Sequence, residues 1–152
     1  MPDELKIFIA SDYRGDSLKK SLVSYLDACH SFITVSDLGN GSTEPDDYND
    51  AALSVAKKVL ETPGSFGVLV CGSGHGVTIA ANRFKGIRAC NCCSKESAKL
   101  AREHDDANIL CLAADLLEES LAEDIVKSFF HTKYPENPRR EARKARLDED
   151  AL

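Results

Sequence analysis

One cysteine of this chain stands between a short apolar run and a loop rich in glycine. The apolar run covers residues 66–70, Cys71 ends it, and a helical pattern begins near residue 77 after Gly72, Gly74 and Gly76. Such a turn directs consecutive backbone N–H groups, and the positive end of the next helix, towards the space above the strand. The same surroundings favour the thiolate form of a cysteine. The segment therefore predicts a general base beside an oxyanion hole.

Other glycine-rich motifs account for this loop less well. A phosphate-binding P-loop ends in Gly-Lys-Ser or Gly-Lys-Thr, whereas Val77 and Thr78 follow Gly76 here. A nucleophile elbow requires glycine where Cys71 stands. A dinucleotide fingerprint requires a third glycine at position 77 and usually follows the first strand rather than the third. A purely structural glycine turn, with Cys71 as a small buried residue, is the remaining alternative.

The size and composition of the chain indicate one domain over residues 1–152. Its 43% hydrophobic content is sufficient for a single core. No apolar run reaches about 18 residues, the length of a membrane span, and residues 1–4 lack the pattern of a signal peptide. We therefore expect a soluble cytoplasmic protein without membrane contact. Its six cysteines are then expected to stay reduced.

A cysteine-rich stretch at residues 90–93 raises the hypothesis of a zinc site. It consists of Cys90, Asn91, Cys92 and Cys93. In a strand, Cys92 and Cys93 point to opposite faces, which does not suit tetrahedral coordination of one ion. We expect neither a metal nor another cofactor.

The charge of the chain is distributed unevenly. The net charge is −6, although residues 139–146 contain five cationic side chains and one carboxylate. An acidic protein with one short basic segment is not expected to bind nucleic acid, which requires a broad basic face. Arg139 and Arg143 are four positions apart, so they share one helix face and can clamp a phosphate. We expect the other cations of this segment, Arg140, Lys144 and Arg146, to be solvated.

Hydrophobic periodicity predicts alternating strands and helices. The predicted strands cover residues 5–11, 33–38, 66–71, 87–90 and 108–113. The predicted helices cover residues 17–29, 48–60, 94–104, 117–130 and about 138–148, the last within a C-terminal helical segment at about 137–150. Within the second helix, the residues expected to face the core are Leu53, Ala56, Val59 and Leu60. The alternation indicates an α/β fold of three layers, in which a parallel sheet of the five predicted strands has helices on both faces.

The positions of the loops indicate where a ligand would bind. Right-handed crossovers bring the carboxyl ends of parallel strands to one edge of the sheet, and ligands of open α/β sheets bind there. Four segments are expected to meet at this edge, namely residues 12–15, 46–48, 71–76 and 104–106. The sequence thus predicts one site that combines the cysteine loop with acidic, tyrosine and histidine side chains.

An ordered set of motifs, more specific than any one of them, resembles a known family. The motifs are ASDYRG at residues 10–15, DY at 47–48, CGSGHG at 71–76, IAAN at 79–82, GIRA at 86–89 and AREHDDAN at 101–108. This set closely resembles ribose-5-phosphate isomerase type B, from about residue 5 to residue 146. The family also includes galactose-6-phosphate and allose-6-phosphate isomerases, and the resemblance implies its fold, a Rossmann-like three-layer sandwich with a five-stranded parallel sheet. The resemblance implies a metal-free aldose–ketose isomerase of the pentose phosphate pathway, and a homodimer or homotetramer with sites shared between subunits.

The resemblance also implies roles for individual residues. Cys71 would be the base that moves a proton between C1 and C2 of a phosphorylated sugar through an enediolate. Ser73 would transfer a proton between the two substrate oxygens, and His104 would open the furanose ring. The backbone of residues 72–76 would stabilise the enediolate. Substrate contacts are implied for Asp12, Asp47, Tyr48, Arg139 and Arg143. The family is usually apolar at the position of His75, so we expect this histidine either to line the site or to be solvated.

Three positions depart from the family pattern. The family usually has histidine at the position of Tyr13, asparagine at that of Asp105, and a phosphate-contacting arginine near Asp115. We expect Tyr13 and Asp105 to line the pocket and Arg14 to compensate for the missing arginine. These differences bear on the substrate more than on the reaction. An isomerase of allose or galactose 6-phosphate, or a non-catalytic module that binds a sugar phosphate or nucleotide, therefore remains an alternative.

Overall fold

The computed structural model describes residues 4–29, 31–39 and 47–149. Within these ranges the strands are β1 (Leu5–Ser11), β2 (Ile33–Asp37), β3 (Phe66–Cys71), β4 (Ala89–Asn91) and β5 (Ile109–Ala113). The helices are α1 (Asp16–Cys29), α2 (Tyr48–Glu61), α3 (His75–Ala81), α4 (Lys95–Asp105), α5 (Glu119–His131) and α6 (Pro138–Leu147), and a short 3₁₀ turn (Tyr13–Gly15) precedes α1. All strand pairs are parallel, in the order β2-β1-β3-β5-β4. The predicted five-stranded parallel sheet is therefore confirmed.

Two apolar cores lie on the two faces of this sheet. On one face, Val68 and Val70 of β3 pack in a core with Leu22 of α1 and Phe129 of α5. On the other face, alternate β3 residues, including Cys71, pack in a core that α2 and α3 complete. This is the predicted three-layer arrangement, and it turns the Cys71 side chain towards α2 and α3. No helix in the described ranges has the length and apolar content required to cross a membrane.

Helix α2 buries Ala56 and Val59 as predicted, but not the two leucines that were expected beside them. Leu53 and Leu60, expected in the core, are 47% and 45% exposed. The buried residues are smaller, namely Ala51, Ala52, Val55, Ala56 and Val59. Helix α2 lies close to the sheet at Gly67, where an added Cβ would be 2.5 Å from a Val55 methyl carbon. Because this close approach leaves no room for leucine, the leucines point outwards.

The fourth strand begins two residues later than predicted, at Ala89 rather than residue 87. The Asn82 side chain exchanges two hydrogen bonds with the Ala89 backbone, at 2.8 and 2.9 Å. Arg88 N donates to Asn108 Oδ1 at 2.8 Å. The Arg88 N–H is therefore bonded to a side chain rather than to the backbone of the neighbouring strand, and the regular pairing of β4 with β5 begins at Ala89.

Candidate active site

The glycine loop encloses the sulfur of Cys71 at the carboxyl end of β3. Cys71 is 3% exposed, and Gly74 N donates to its Sγ at 3.2 Å. Gly74 adopts a φ of 77°, in the left-handed region that favours glycine. Ser73 Oγ accepts a hydrogen bond from His75 N at 3.2 Å. The loop thus directs one backbone N–H at the Cys71 sulfur.

Three other cysteines, two of them buried and one partly buried, lie in surroundings that disfavour the thiolate. Burial raises the pKa of the Cys92 thiol to about 12. Burial also raises the pKa of Cys111, and burial together with the nearby Asp105 carboxylate raises that of Cys90. These three side chains are therefore held as uncharged thiols at neutral pH. Among the described residues, no group of three or more histidine, cysteine or carboxylate side chains is arranged to hold a metal ion.

The segment after β1 lies beside the glycine loop. Asp12 is 8% exposed, its Oδ1 accepts from Gly15 N at 3.0 Å, and its own N–H donates to Val70 O at 3.3 Å. These contacts form the 3₁₀ turn, which the sequence did not predict. Tyr13, within this turn, is 45% exposed. The carboxyl ends of β1 and β3 thus present Asp12 and Cys71 at the same edge.

The start of α2 reaches the same edge. Asp47 caps the helix, since its Oδ1 accepts from Asn49 N at 2.9 Å. The Tyr48 ring lies against the loop, where a Cβ on Gly76 would be only 2.8 Å from ring atoms. Tyr48 therefore covers the glycine loop as the sequence suggested, while Asp47 also shapes the backbone. Residue 46 of the predicted 46–48 segment lies outside the described residues.

Arg14 forms an ion pair that sequence reasoning missed. Its Nη2 donates to Asp115 Oδ2, and the pair lies directly over the loop. A Cβ on Gly72 would be 2.7 Å from Arg14 Cζ and 2.8 Å from Asp115 Oδ2. Asp115 N also donates to Gly72 O at 3.0 Å. A cation consequently lies beside the cysteine loop, held by the carboxylate that stands near the family's usual arginine position.

A second cluster forms where α4 ends and α6 begins. His104, Arg139, Arg140 and Arg143 line a cavity of about 280 Å³. An adjoining cavity of about 240 Å³ is lined by His104 and Arg143 together with Asp105, Arg140 and Lys144, among others. Arg139, Arg143 and His104 thus lie around one cavity, and the phosphate clamp stays a prediction. These side chains provide the cationic surface that an anionic ligand requires.

Arg140 and Lys144 were expected to be solvated, which the structure contradicts for Lys144, whereas Arg140 is partly exposed. Arg140 lines both cavities, and its Nη1 donates to Pro135 O at 2.9 Å. Lys144 Nζ lies 3.0 Å from Asp106 Oδ2 and 3.0 Å from Glu141 Oε1. Burial alone disfavours the ammonium, yet the hydrogen bonds to Asp106 and Glu141 outweigh it and raise the pKa of Lys144.

Asp106 links α6 to the end of α4 through ion pairs. It has a φ of 50°, and its carboxylate also pairs with Arg102 at 2.9 Å and with Arg88 at 3.3 Å. Lys144 is thus one of three cations on a single carboxylate. The ion pair between Lys144 and Asp106 therefore positions α6, the helix that carries Arg139 and Arg143.

The two clusters lie at opposite ends of the strands, one at the carboxyl edge of the sheet and the other at its amino edge. Gly67 N donates to Asn108 O at 2.9 Å, so the residues after α4 adjoin the amino end of β3, whereas Cys71 is at its carboxyl end. A six-residue strand spans roughly 20 Å. The prediction that residues 104–106 join the other loops at one edge is therefore wrong within a single chain. Helix α4 leaves the carboxyl edge after β4 and must return to the amino edge before β5 begins.

The fold defines the class of open α/β sheet proteins, whose ligands bind at the carboxyl ends of the strands. Comparison with known proteins identifies the family. The Ribose/Galactose Isomerase family model matches residues 7–147, and the chain belongs to this family. It is accordingly a sugar-phosphate isomerase.

Individual relatives agree with this assignment. The chain is 37% identical over 129 residues to ribose-5-phosphate isomerase B of Escherichia coli, covering 85% of each protein. It matches the crystal structure of a ribose 5-phosphate isomerase from Thermotoga maritima with a TM-score of 0.88 and 42% identity, over 94% of this chain and 97% of that one. Mycoplasma genitalium ribose-5-phosphate isomerase B, whose crystal structure contains ribulose-5-phosphate, gives a TM-score of 0.88 and 38% identity over 95% of both chains.

Proposed function

We propose that this enzyme interconverts ribose 5-phosphate and ribulose 5-phosphate, with Cys71 as the base. The observation that carries this proposal is the Cys71 sulfur, enclosed by the loop and receiving the Gly74 N–H at 3.2 Å. Similarity to a Mycoplasma genitalium enzyme with bound ribulose-5-phosphate supports the choice of substrate. The place of the reaction in the pentose phosphate pathway and the cytoplasmic location stay predictions.

The proposed reaction is balanced without an external oxidant or reductant. The Cys71 thiolate removes the proton from C2 of the open-chain aldose, and the electrons of that bond form the enediolate. The sulfur then returns the proton to C1, while Ser73 transfers the hydroxyl proton from O2 to O1. Backbone N–H groups of residues 72–76 would stabilise the negative charge of the intermediate. C1 is reduced and C2 is oxidised, so the reaction requires no redox cofactor.

We further propose that two copies of the chain share each site. The site around Cys71 in one copy would be completed by residues of the other copy, namely His104, Asp105, Arg139 and Arg143. His104 would open the sugar ring there. The separation of the two clusters supports this arrangement, because a two-fold dimer can bring opposite edges of two chains together. Exposed apolar side chains on α2 and α3, namely Leu53, Leu60 and Ile79, provide surface for such a contact.

A coupled assay on purified protein treated with a metal chelator tests the proposed function. Turnover should be greater with ribulose 5-phosphate than with allose 6-phosphate or galactose 6-phosphate. A preference for a six-carbon substrate would reassign the substrate, with Tyr13 and Asp105 as the first positions to examine. Binding of ribulose 5-phosphate with neither turnover nor exchange of its C1 proton into solvent would instead favour the non-catalytic module.

Phosphate binding by α6 leads to a separate prediction. Each charge-assisted hydrogen bond contributes about 1.5 to 3 kcal/mol, so Arg143→Ala should raise KM for the phosphorylated sugar roughly 10- to 100-fold. Inorganic phosphate should compete with substrate, and its competition should weaken in this variant. Steady-state kinetics at constant ionic strength provide the measurement.

The matched control is Arg146→Ala. Arg146 lies on the same helix and its removal changes the net charge equally, but it does not line either cavity beside His104. Arg140 and Lys144 are unsuitable controls because the first lines the cavities and the second fastens α6. If Arg146→Ala raised KM as much as Arg143→Ala, the segment would act through general charge and the clamp would be rejected.

A further inference from the structure

Asn91 lies on the edge strand β4, and its side-chain amide contacts the glycine loop. Its Nδ2 donates to Ser73 O at 3.1 Å and lies 3.2 Å from His75 Nδ1. Its amide also packs against Gly74, where an added Cβ would be 2.5 Å from Asn91 Oδ1. One side chain therefore contacts three consecutive residues of the loop that encloses Cys71.

These contacts select one tautomer of His75. The Ser73 carbonyl can only accept a hydrogen bond, so the Asn91 amide must present its nitrogen on that side. An amide nitrogen donates, so the facing His75 Nδ1 must be the unprotonated acceptor. A neutral imidazole with an unprotonated Nδ1 carries its proton on Nε2. Asn91 thus uses both its N–H groups and leaves His75 as an oriented N–H donor.

His75 lies where such a donor can reach a bound sugar. It directly follows Gly74, whose N–H donates a hydrogen bond to the Cys71 sulfur, and it precedes Gly76, which the Tyr48 ring covers. Its side chain is exposed. A neutral ring with one outward N–H suits a hydroxyl oxygen, whereas the arginines of α6 provide the charge that phosphate requires.

We propose that His75 is a specificity-determining residue whose Nε2–H donates to a hydroxyl of the open-chain sugar phosphate, and that Asn91 is its positioning residue. This proposal rests on the proposed function for the identity of the ligand. It explains why a side chain on β4 contacts the loop at both the Ser73 backbone and the His75 ring.

Kinetics of His75 variants test the contact. His75→Phe keeps a planar ring without the donor and should raise KM for ribulose 5-phosphate roughly 3- to 10-fold, the effect of one neutral hydrogen bond. The fall in kcat should be smaller than the rise in KM. His75→Gln restores a donor and should recover much of the lost affinity. His131→Phe removes an exposed histidine at the end of α5 and should leave KM unchanged. An unaltered KM in His75→Phe would overturn the proposal.

The positioning role of Asn91 is tested by a double-mutant cycle. Asn91→Val removes the donors and should raise KM about as much as His75→Phe. If Asn91 acts through His75, the double variant should resemble either single variant. Fully additive effects would mean that Asn91 acts only on the loop backbone, and the positioning role would be rejected.

Nuclear magnetic resonance of labelled histidine provides a readout that does not depend on turnover. In the wild-type protein near pH 8, His75 should show a protonated Nε2 and an unprotonated Nδ1, and Asn91→Val should produce a mixture of tautomers. A predominant Nδ1–H form in the wild type would overturn the proposal even if the protein is an active isomerase. If the expected tautomer is found but wild-type protein does not turn over any sugar phosphate, the proposed function fails instead. The hydroxyl contact is then tested by perturbation of the His75 signals on adding ribulose 5-phosphate, and an absence of perturbation rejects it.

Discussion

Cys71→Ala is expected to lower kcat about 10²- to 10⁴-fold, the usual effect of removing a positioned general base. The substitution deletes one sulfur at the end of β3 and leaves the backbone turn of residues 72–76 in place. The cost to the fold should be small, because alanine occupies the same core position and only the Gly74 N–H loses its acceptor. Steady-state kinetics combined with thermal unfolding separate the two effects.

Cys111→Ala is the matched control for this experiment. Cys111 is a fully buried cysteine on the adjacent strand β5, and burial raises its thiol pKa. Its replacement should retain most turnover while it changes stability to a similar extent. Alkylation of the wild type should inactivate the enzyme, and substrate should protect Cys71 in peptide mapping. A Cys71→Ala variant with more than about half of wild-type turnover would show that another group is the base.

Mixing two impaired variants should restore turnover of the cyclic aldose phosphate if sites are shared. In a mixed dimer of Cys71→Ala and His104→Asn chains, one site contains both defects and the other contains neither. Random pairing makes half of the dimers mixed, so about a quarter of the sites should be intact. The measurement is turnover after joint refolding of equal amounts, compared with each variant refolded alone.

The control mixture uses two residues from the same edge of the sheet. Cys71 and Asp12 lie at the carboxyl ends of adjacent strands β3 and β1, so Cys71→Ala and Asp12→Asn should impair the same half of each site. This mixture should show no gain over the separate proteins. Recovery of turnover in this control mixture would contradict sites shared between opposite edges. So would an absence of recovery in the first mixture when native mass spectrometry confirms that mixed dimers have formed.

Local patterns in the sequence were sufficient for much of the architecture. The run before Cys71 and the glycines after it predicted β3, the turn and the start of a helix, because each depends on neighbouring residues only. The alternation of strands and helices indicated the parallel sheet for the same reason. Periodicity failed within α2, where alanine and leucine both satisfy an apolar stripe. The small residue Gly67 on another element selected the alanine face.

The sequence by itself therefore determined the α/β class, the cysteine loop and the pair of arginines on one helix. Only the tertiary structure decided which of these features lie together. Arg14 and Asp115 are 101 positions apart, and Asn91 reaches His75 from another strand. The crossover of α4 also placed His104 at the edge opposite Cys71. Such relations follow from the path of the chain through the sheet, whereas propensity and periodicity act over only a few turns of helix or residues of strand.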